Sequence, residues 1–152
     1  KKNIFRPKKN IFRPKKMEAY TEYFASQILN YINTIKDSLD IESDFNIKLT
    51  GTSSTSSRYI ASEINLYGQE IQKEYVRNNY TVRYEITQNS PVINFNQKTL
   101  FKMLKSSSTD FSNNIIKLFD LVKNALNINI DFKNLIIDIQ EYKIIITITM
   151  IF

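Results

Sequence analysis

Cysteine and histidine are both absent from the 152 residues. Without them the chain can form no disulfides, has no thiolate nucleophile and lacks the usual ligands of a zinc site. The absence of histidine also removes the side chain that most often serves as a general base near neutral pH. These absences favour a non-enzymatic protein, and we expect no cofactor.

Glycine and proline are scarce, with two and three residues, and both Pro7 and Pro14 lie near the N-terminus. The remaining chain is therefore poor in hinges, and its 42% hydrophobic content suits one domain with a real core. No apolar run approaches the roughly 20 residues that span a bilayer, and no signal-peptide stretch opens the chain. We expect an intracellular protein of the cytoplasm, the nucleus or a virion.

The positive charge of the chain is concentrated in a leading repeat. The heptapeptide KKNIFRP occurs twice in residues 1–14, and its first two letters follow at 15–16. Residues 1–16 contain eight basic and no acidic side chains, whereas the other 136 residues contain 13 basic and 15 acidic ones. Met17 comes next and is typical of a native start. The sequence therefore divides into a basic arm (1–16) and a slightly acidic domain (17–152).

The composition of the arm suits contact with nucleic acid or another polyanion. Proline at every seventh position prevents a regular helix, so the arm is expected to be extended, with a reach of roughly 50 Å. Its basic side chains would pair with phosphates and its phenylalanines would stack on exposed bases, without reading sequence. The predicted contact residues are Lys1, Lys2, Phe5, Arg6, Lys8, Lys9, Phe12, Arg13, Lys15 and Lys16.

Three other interpretations of the arm stay open. The same residues suit anionic lipid headgroups, and they resemble a nuclear-import signal. A perfect duplication ahead of Met17 is also what recent slippage produces. In that last case the arm has no function, and the domain would be a protein–protein interaction module.

Apolar periodicity predicts a single α+β domain, with helices packed on a mostly antiparallel sheet. Spacings of three and four indicate helices over 18–39, between Ser57 and Asn78, over 96–105 and over 110–124. Alternation indicates strands over 45–50, 80–87, 92–95, 128–132 and 135–139, with reversals at Lys133-Asn134 and Glu141-Tyr142. The final segment, KIIITITMIF, is apolar on both faces and is expected to be covered on both sides. A central strand is favoured, and an edge strand buried by a partner is the alternative.

Two features could hold a phosphate, although a solvated surface is favoured for each. GTSSTSS (51–57) is expected to be a loop in which Ser56 or Ser57 caps the following helix, with Arg58 beside that N-terminus. The glycine patterns of P-loops and dinucleotide sites are absent from it. Three lysines at helical spacing, Lys98, Lys102 and Lys105, would line one side of a helix.

One pattern resembles an enzyme site. Asp131, Glu141 and Lys143 have the order in which restriction-endonuclease-like nucleases place two Mg²⁺-binding carboxylates and a lysine. The triplet is short enough to arise by chance, and Glu141 falls at a predicted reversal. A magnesium-dependent nuclease is therefore the alternative, and a charged hairpin turn is the simpler interpretation.

The sequence as a whole favours a non-enzymatic binding or structural protein. The arm would engage a polyanion, while the domain would bind a protein partner or form a homo-oligomer through its apolar last strand or first helix. Ile, Asn and Lys make up 57 of the 152 residues, a bias typical of AT-rich genomes such as those of many large DNA viruses. A component of a viral or other nucleoprotein assembly would suit both halves.

Overall fold

The computed structural model describes residues 15–41, 44–88 and 95–152. Within these ranges the chain forms three helices and four strands, which confirms the predicted α+β domain. In chain order they are α1 (Lys15–Ser38), β1 (Phe45–Ile64), β2 (Glu70–Gln88), α2 (Phe95–Ser106), α3 (Ser108–Leu126), β3 (Asp131–Ile139) and β4 (Ile144–Ile151). The sheet order is β1-β2-β4-β3 and all neighbours are antiparallel, so β4 is the central strand that its composition predicted.

The core lies between one face of the sheet and the helices. Alternate residues of β2 and β4 face inward, and α1 and α3 cover them. The ring of Phe24 packs edge-on against Tyr84 and Phe119, with centroid distances of 6.0 and 6.2 Å. Other side chains without solvent exposure are Tyr20, Ile28, Ile32, Tyr80, Val82, Ile86, Leu100, Ile115, Val122, Ile144, Ile146, Ile148 and Met150. Burial of these apolar side chains supplies the hydrophobic free energy that stabilises the domain.

Helix α1 begins and ends close to its predicted bounds. The apolar residues of α1 lie on one side of the helix, which packs on the sheet. Ile32 lies in the core, whereas Tyr31 is half-buried and stacks on Phe111 with a centroid distance of 5.8 Å. At its C-terminal end, the amine of the buried Lys36 lies 2.7 Å from Asp44 and 3.1 Å from Asp37. Hydrogen bonds to Asp44 and then to Asp37 raise the pKa of Lys36. The ion pair with Asp44 links the C-terminal end of α1 to the residue that precedes β1.

Three buried tyrosines differ in how their hydroxyl groups are satisfied. The hydroxyl of Tyr20 donates to the carbonyl of Phe119 at 3.0 Å, and that of Tyr84 donates to the carbonyl of Thr21 at 2.8 Å. Burial raises the pKa of both phenols above the ordinary value of 10.0. The hydroxyl of Tyr80 is buried without a hydrogen-bond partner among the described residues.

This difference predicts opposite effects for two conservative substitutions. Tyr84→Phe removes a buried hydrogen bond and should lower the free energy of unfolding by about 1 kcal/mol. Tyr80→Phe removes an unsatisfied buried hydroxyl and should raise that free energy by a similar amount. Urea denaturation followed by circular dichroism measures both, and an equal loss in the two variants would contradict the assignment.

The stretch after residue 50 differs from its prediction. Residues 51–57 are not a loop, and no helix lies between Ser57 and Asn78. Strands β1 and β2 instead pair from Phe45 with Gln88 to Ile64 with Glu70, interrupted by one bulge between Leu49 and Gly51. Spacings of four had suggested the helix, but they also place residues on one face of a strand.

Three smaller predictions were also wrong or lie in part outside the described residues, and a fourth is confirmed. Lys133-Asn134 is not a reversal, because β3 continues through a bulge between Phe132 and Asn134. The predicted strand over 128–132 is replaced by a strand that starts at Asp131. Residues 92–94 of the predicted short strand are outside the described part, and Phe95 begins α2. The reversal at Glu141-Tyr142 is confirmed.

Candidate functional site: a projecting ribbon and a lysine-lined cleft

Half of the β1–β2 hairpin extends beyond the sheet. Strand β2 pairs with β4 from Ile86 back to Asn79, where Asn79 lies opposite Ile151. Beyond that point the nine residue pairs from Ser56 with Asn78 to Ile64 with Glu70 form a two-stranded ribbon, at whose base Asn78 still exchanges two backbone hydrogen bonds with Phe152. At about 3.4 Å per residue it projects roughly 30 Å from the domain. We call residues 55–79 the ribbon and residues 65–69 its tip.

The tip is a tight turn with a defined hydrogen-bond pattern. The N–H of Gly68 donates to the carbonyl of Asn65 at 3.0 Å, and the Asn65 side-chain oxygen accepts from the N–H groups of Tyr67 and Gln69. Gly68 has a φ of 79°, a conformation that side chains disfavour. A type I turn followed by a left-handed glycine is a common three-residue hairpin. The turn therefore presents Leu66 and Tyr67 at the end of the ribbon.

Cross-strand side-chain pairs hold the ribbon together. On one face the rings of Tyr59 and Tyr75 stack at 5.5 Å, and the guanidinium of Arg77 lies 5.4 Å from the Tyr59 ring. On the other face Arg58 lies 3.7 Å from Glu74. Such pairs contribute about 0.2–1 kcal/mol each. A two-stranded hairpin in water is marginally stable at best, so these pairs are the main interactions that hold the ribbon in shape.

The ribbon carries a large share of the exposed apolar surface. Of eleven large hydrophobic side chains exposed in the described residues, six belong to the ribbon: Tyr59, Ile60, Ile64, Leu66, Tyr67 and Val76. Leu66 is fully exposed and Tyr67 is 87% exposed. No residue of the ribbon belongs to the core. Clustered exposed apolar residues are typical of a contact surface rather than of a structural element.

The ribbon has no excess charge. Its three basic residues, Arg58, Lys73 and Arg77, are matched in number by the acids Glu63, Glu70 and Glu74. Lys73 lies 3.3 Å from Glu63. A surface that binds phosphates gains its affinity from unbalanced positive charge. The ribbon therefore lacks the unbalanced positive charge of a phosphate-binding surface.

A cleft lies at the other end of the domain, between α2 and the β3–β4 turn. Its volume is about 430 Å³, and we call it the lysine cleft; it is lined by Lys98, Phe101, Lys102, Lys105, Ile139, Gln140 and Glu141. The apolar part of the lining is Phe101 and Ile139, and the three lysines follow one side of α2 as their spacing predicted. Within the described residues no ion pair involves these lysines. The cleft is thus an apolar hollow with a cationic rim.

The candidate nuclease residues do not meet. Asp131 begins β3 and Glu141 follows its end, so about 27 Å of strand separates the two ends. Asp131 lies 3.7 Å from Lys123, and Lys143 lies 3.2 Å from Glu85. In the parts of the chain that the structure describes, no three acidic residues are grouped as a metal site would require.

Two other predicted sites are the basic arm and the phosphate site beside Arg58. Residues 1–14 of the arm lie outside the described ranges, and the backbone at positions 15 and 16 begins α1. The alternative phosphate site beside Arg58 does not form, because this residue lies within the ribbon and not at a helix N-terminus. The ribbon and its tip were missed, although the turn sequence Asn65-Leu66-Tyr67-Gly68 could have indicated a hairpin.

Across the described residues, none of the helices has the length and apolarity to cross a bilayer. No family model, curated protein or solved structure matches this chain.

Proposed function

We propose that this chain is a non-enzymatic binding and structural protein that attaches to a partner protein through the ribbon. The observation that carries the proposal is the roughly 30 Å projection of a hairpin whose end is apolar and fully in solvent. The proposal includes a place in a viral or other nucleoprotein assembly, in the cytoplasm, the nucleus or a virion.

The distribution of side chains indicates how the ribbon binds. Tyr59 and Tyr75 lie on one face, Ile60 and Val76 lie on the other, and the tip adds Leu66. A flat surface could contact one face alone, whereas a groove contacts both faces and the tip together. Groove binding would also bury the open edges of the ribbon backbone, which are otherwise a template for unwanted strand pairing.

A second function is proposed for residues 1–16, which would bind nucleic acid or another polyanion. The supporting observation is that these residues carry eight positive charges, whereas the remainder of the chain carries two more acids than bases. The contact residues would be the lysines, arginines and phenylalanines of the repeat. The two functions use separate parts of the chain and can be tested separately.

A photo-crosslinking amino acid at position 66 tests the role of the ribbon. In the full chain we expect a crosslinked product with one defined protein, and none when the same group replaces Ile136. Ile136 is a matched control, because it is 57% exposed but lies on β3, away from the ribbon.

Reconstitution with the crosslinked protein then decides the proposal. The double substitution Leu66→Asp and Tyr67→Asp should weaken binding at least about 100-fold, since it removes two exposed apolar anchors. Ile136→Ser should leave the affinity unchanged. Equal affinity of the wild type and the double variant for the purified partner would reject the ribbon as its binding surface.

A further inference from the structure

We infer that the partner of the ribbon is a second copy of this chain, and that the tip of one copy occupies the lysine cleft of the next. The inference rests on the proposed function, because it names the partner of the ribbon. It joins two surfaces of the described residues, the ribbon and the lysine cleft, at opposite ends of the domain.

The chemistry of the two surfaces is complementary. The tip presents Leu66 and Tyr67, and the cleft offers Phe101 and Ile139 within a hollow of about 430 Å³. Glu70 flanks the tip, is exposed and forms no ion pair among the described residues. Apolar contact would supply affinity, and the flanking charges would fix orientation and exclude wrong partners.

The charges around the two surfaces have opposite sign. The cleft lining contains three lysines and one glutamate, Glu141. The tip with its nearest flanking residues, 63–73, contains Glu63, Glu70 and Lys73. The cleft therefore has a net charge of +2 and the tip region a net charge of −1. The basic residues 1–16 would be repelled from this cleft, which leaves the tip as the complementary segment of this chain.

The two surfaces lie at opposite ends of the sheet. The ribbon leaves where Asn79 pairs with Ile151, and the cleft lies beside the β3–β4 turn, seven ladder positions away near Ile86 and Ile144. The ribbon points away from the cleft of its own domain, so the contact must be intermolecular. A contact between two different surfaces is heterologous, and it produces a ring or an open filament rather than a closed dimer.

Sedimentation velocity of the full chain tests this arrangement. Wild-type protein should form species larger than a dimer as its concentration rises toward about 100 μM. Two variants should remain monomeric in that range: a tip variant (Leu66→Asp with Tyr67→Asp) and a cleft variant (Lys102→Glu with Lys105→Glu). All four positions are exposed, so folding should be retained. Ile136→Ser should assemble like the wild type.

Mixing the two variants gives the sharpest result. The tip variant keeps an intact cleft and the cleft variant keeps an intact tip, so an equimolar mixture should form a one-to-one complex and nothing larger. A mixture that stays monomeric while the wild type assembles would overturn the inference. A variant that assembles on its own would also overturn it and would indicate a contact between like surfaces. Wild-type protein that stays monomeric throughout would also overturn it.

The crosslinking experiment separates this inference from the proposed function. If the wild type is monomeric and position 66 crosslinks to a different protein, whose affinity falls in the tip variant, the ribbon is a binding surface but its partner is not a second copy. If neither self-assembly nor partner binding depends on Leu66 and Tyr67, both proposals fail.

Discussion

Replacing the eight basic residues of 1–16 with glutamine is expected to abolish salt-sensitive binding to DNA and RNA. Full contact of eight cationic side chains with duplex phosphates gives a slope of log affinity against log salt of about −7. Wild-type affinity should therefore fall by roughly 10³ to 10⁵ between 50 and 200 mM salt. The substituted protein should show no measurable slope, because the domain that remains is slightly acidic.

The matched control neutralises lysines of the domain. Changing Lys98, Lys102 and Lys105 to glutamine removes three positive charges of the cleft and should leave most of the salt slope in place. Fluorescence anisotropy with a labelled oligonucleotide measures all three proteins. Full-length protein that fails to bind at low salt, or a domain that binds without residues 1–16, would refute this role.

Excision of the ribbon is expected to remove partner binding while the domain still folds. Strands β1 and β2 can be rejoined by an Asn-Gly turn between Ser54 and Tyr80, which lie opposite each other in the ladder. The core contains no residue of 55–79, and the excision removes only the hydrogen bonds of Asn78 and Asn79 at the base of the ribbon. The free energy of unfolding should therefore fall by no more than about 2 kcal/mol. Self-assembly and binding to the purified partner protein should both disappear.

The stability of the shortened protein is the control for this experiment. Thermal unfolding and near-ultraviolet circular dichroism report whether the aromatic core around Phe24 and Phe119 is intact. A shortened domain that unfolds would mean that the ribbon is part of the fold. A shortened domain that folds and still assembles would place the contact surface elsewhere.

Sequence reasoning predicted the elements that pack against the core. The spacing of Tyr20, Phe24 and Ile28 identified α1, and the apolar run of β4 identified a central strand. In these elements the side chains that face the core are apolar, so the period of the helix or strand can be seen in the sequence. The fold class could be predicted for the same reason.

The ribbon could not be predicted from apolar periodicity, because its residues do not pack against the core. Ile60 and Ile64, and likewise Ile71 and Tyr75, are four apart, a spacing that fits both one side of a helix and one face of a strand. Strands of 20 and 19 residues are also far longer than the usual five or six. The turn at Gly68 was the one local signal of a hairpin.

The interpretation of Lys133-Asn134 as a reversal has a related cause. The apolar positions change from even to odd numbers between Phe132 and Leu135, which suggested two strands. A bulge adds one residue to one strand and shifts the alternation by one position, so a single strand shows the same pattern. The bulge between Leu49 and Gly51 shifts the phase of β1 in the same way.

The candidate surfaces depend on arrangement in space, which the sequence shows only in part. The spacing of Lys98, Lys102 and Lys105 predicted a shared helix face, but Ile139 and Glu141 join them only through the tertiary fold. Conversely, the order of Asp131, Glu141 and Lys143 suggested a nuclease site, and the strand between them separates its two carboxylates.

The central claim is that residues 55–79 are a binding surface and not a structural part of the domain. Hydrogen exchange of the ribbon amides tests this claim most directly. In dilute, monomeric protein these amides should exchange far faster than those of β2 beyond Tyr80, because the ribbon is solvated on both faces. With its partner bound, whether a second copy or another protein, they should become protected. Ribbon amides that are as protected as the core in the monomer, or that stay unprotected in the complex, would contradict the account.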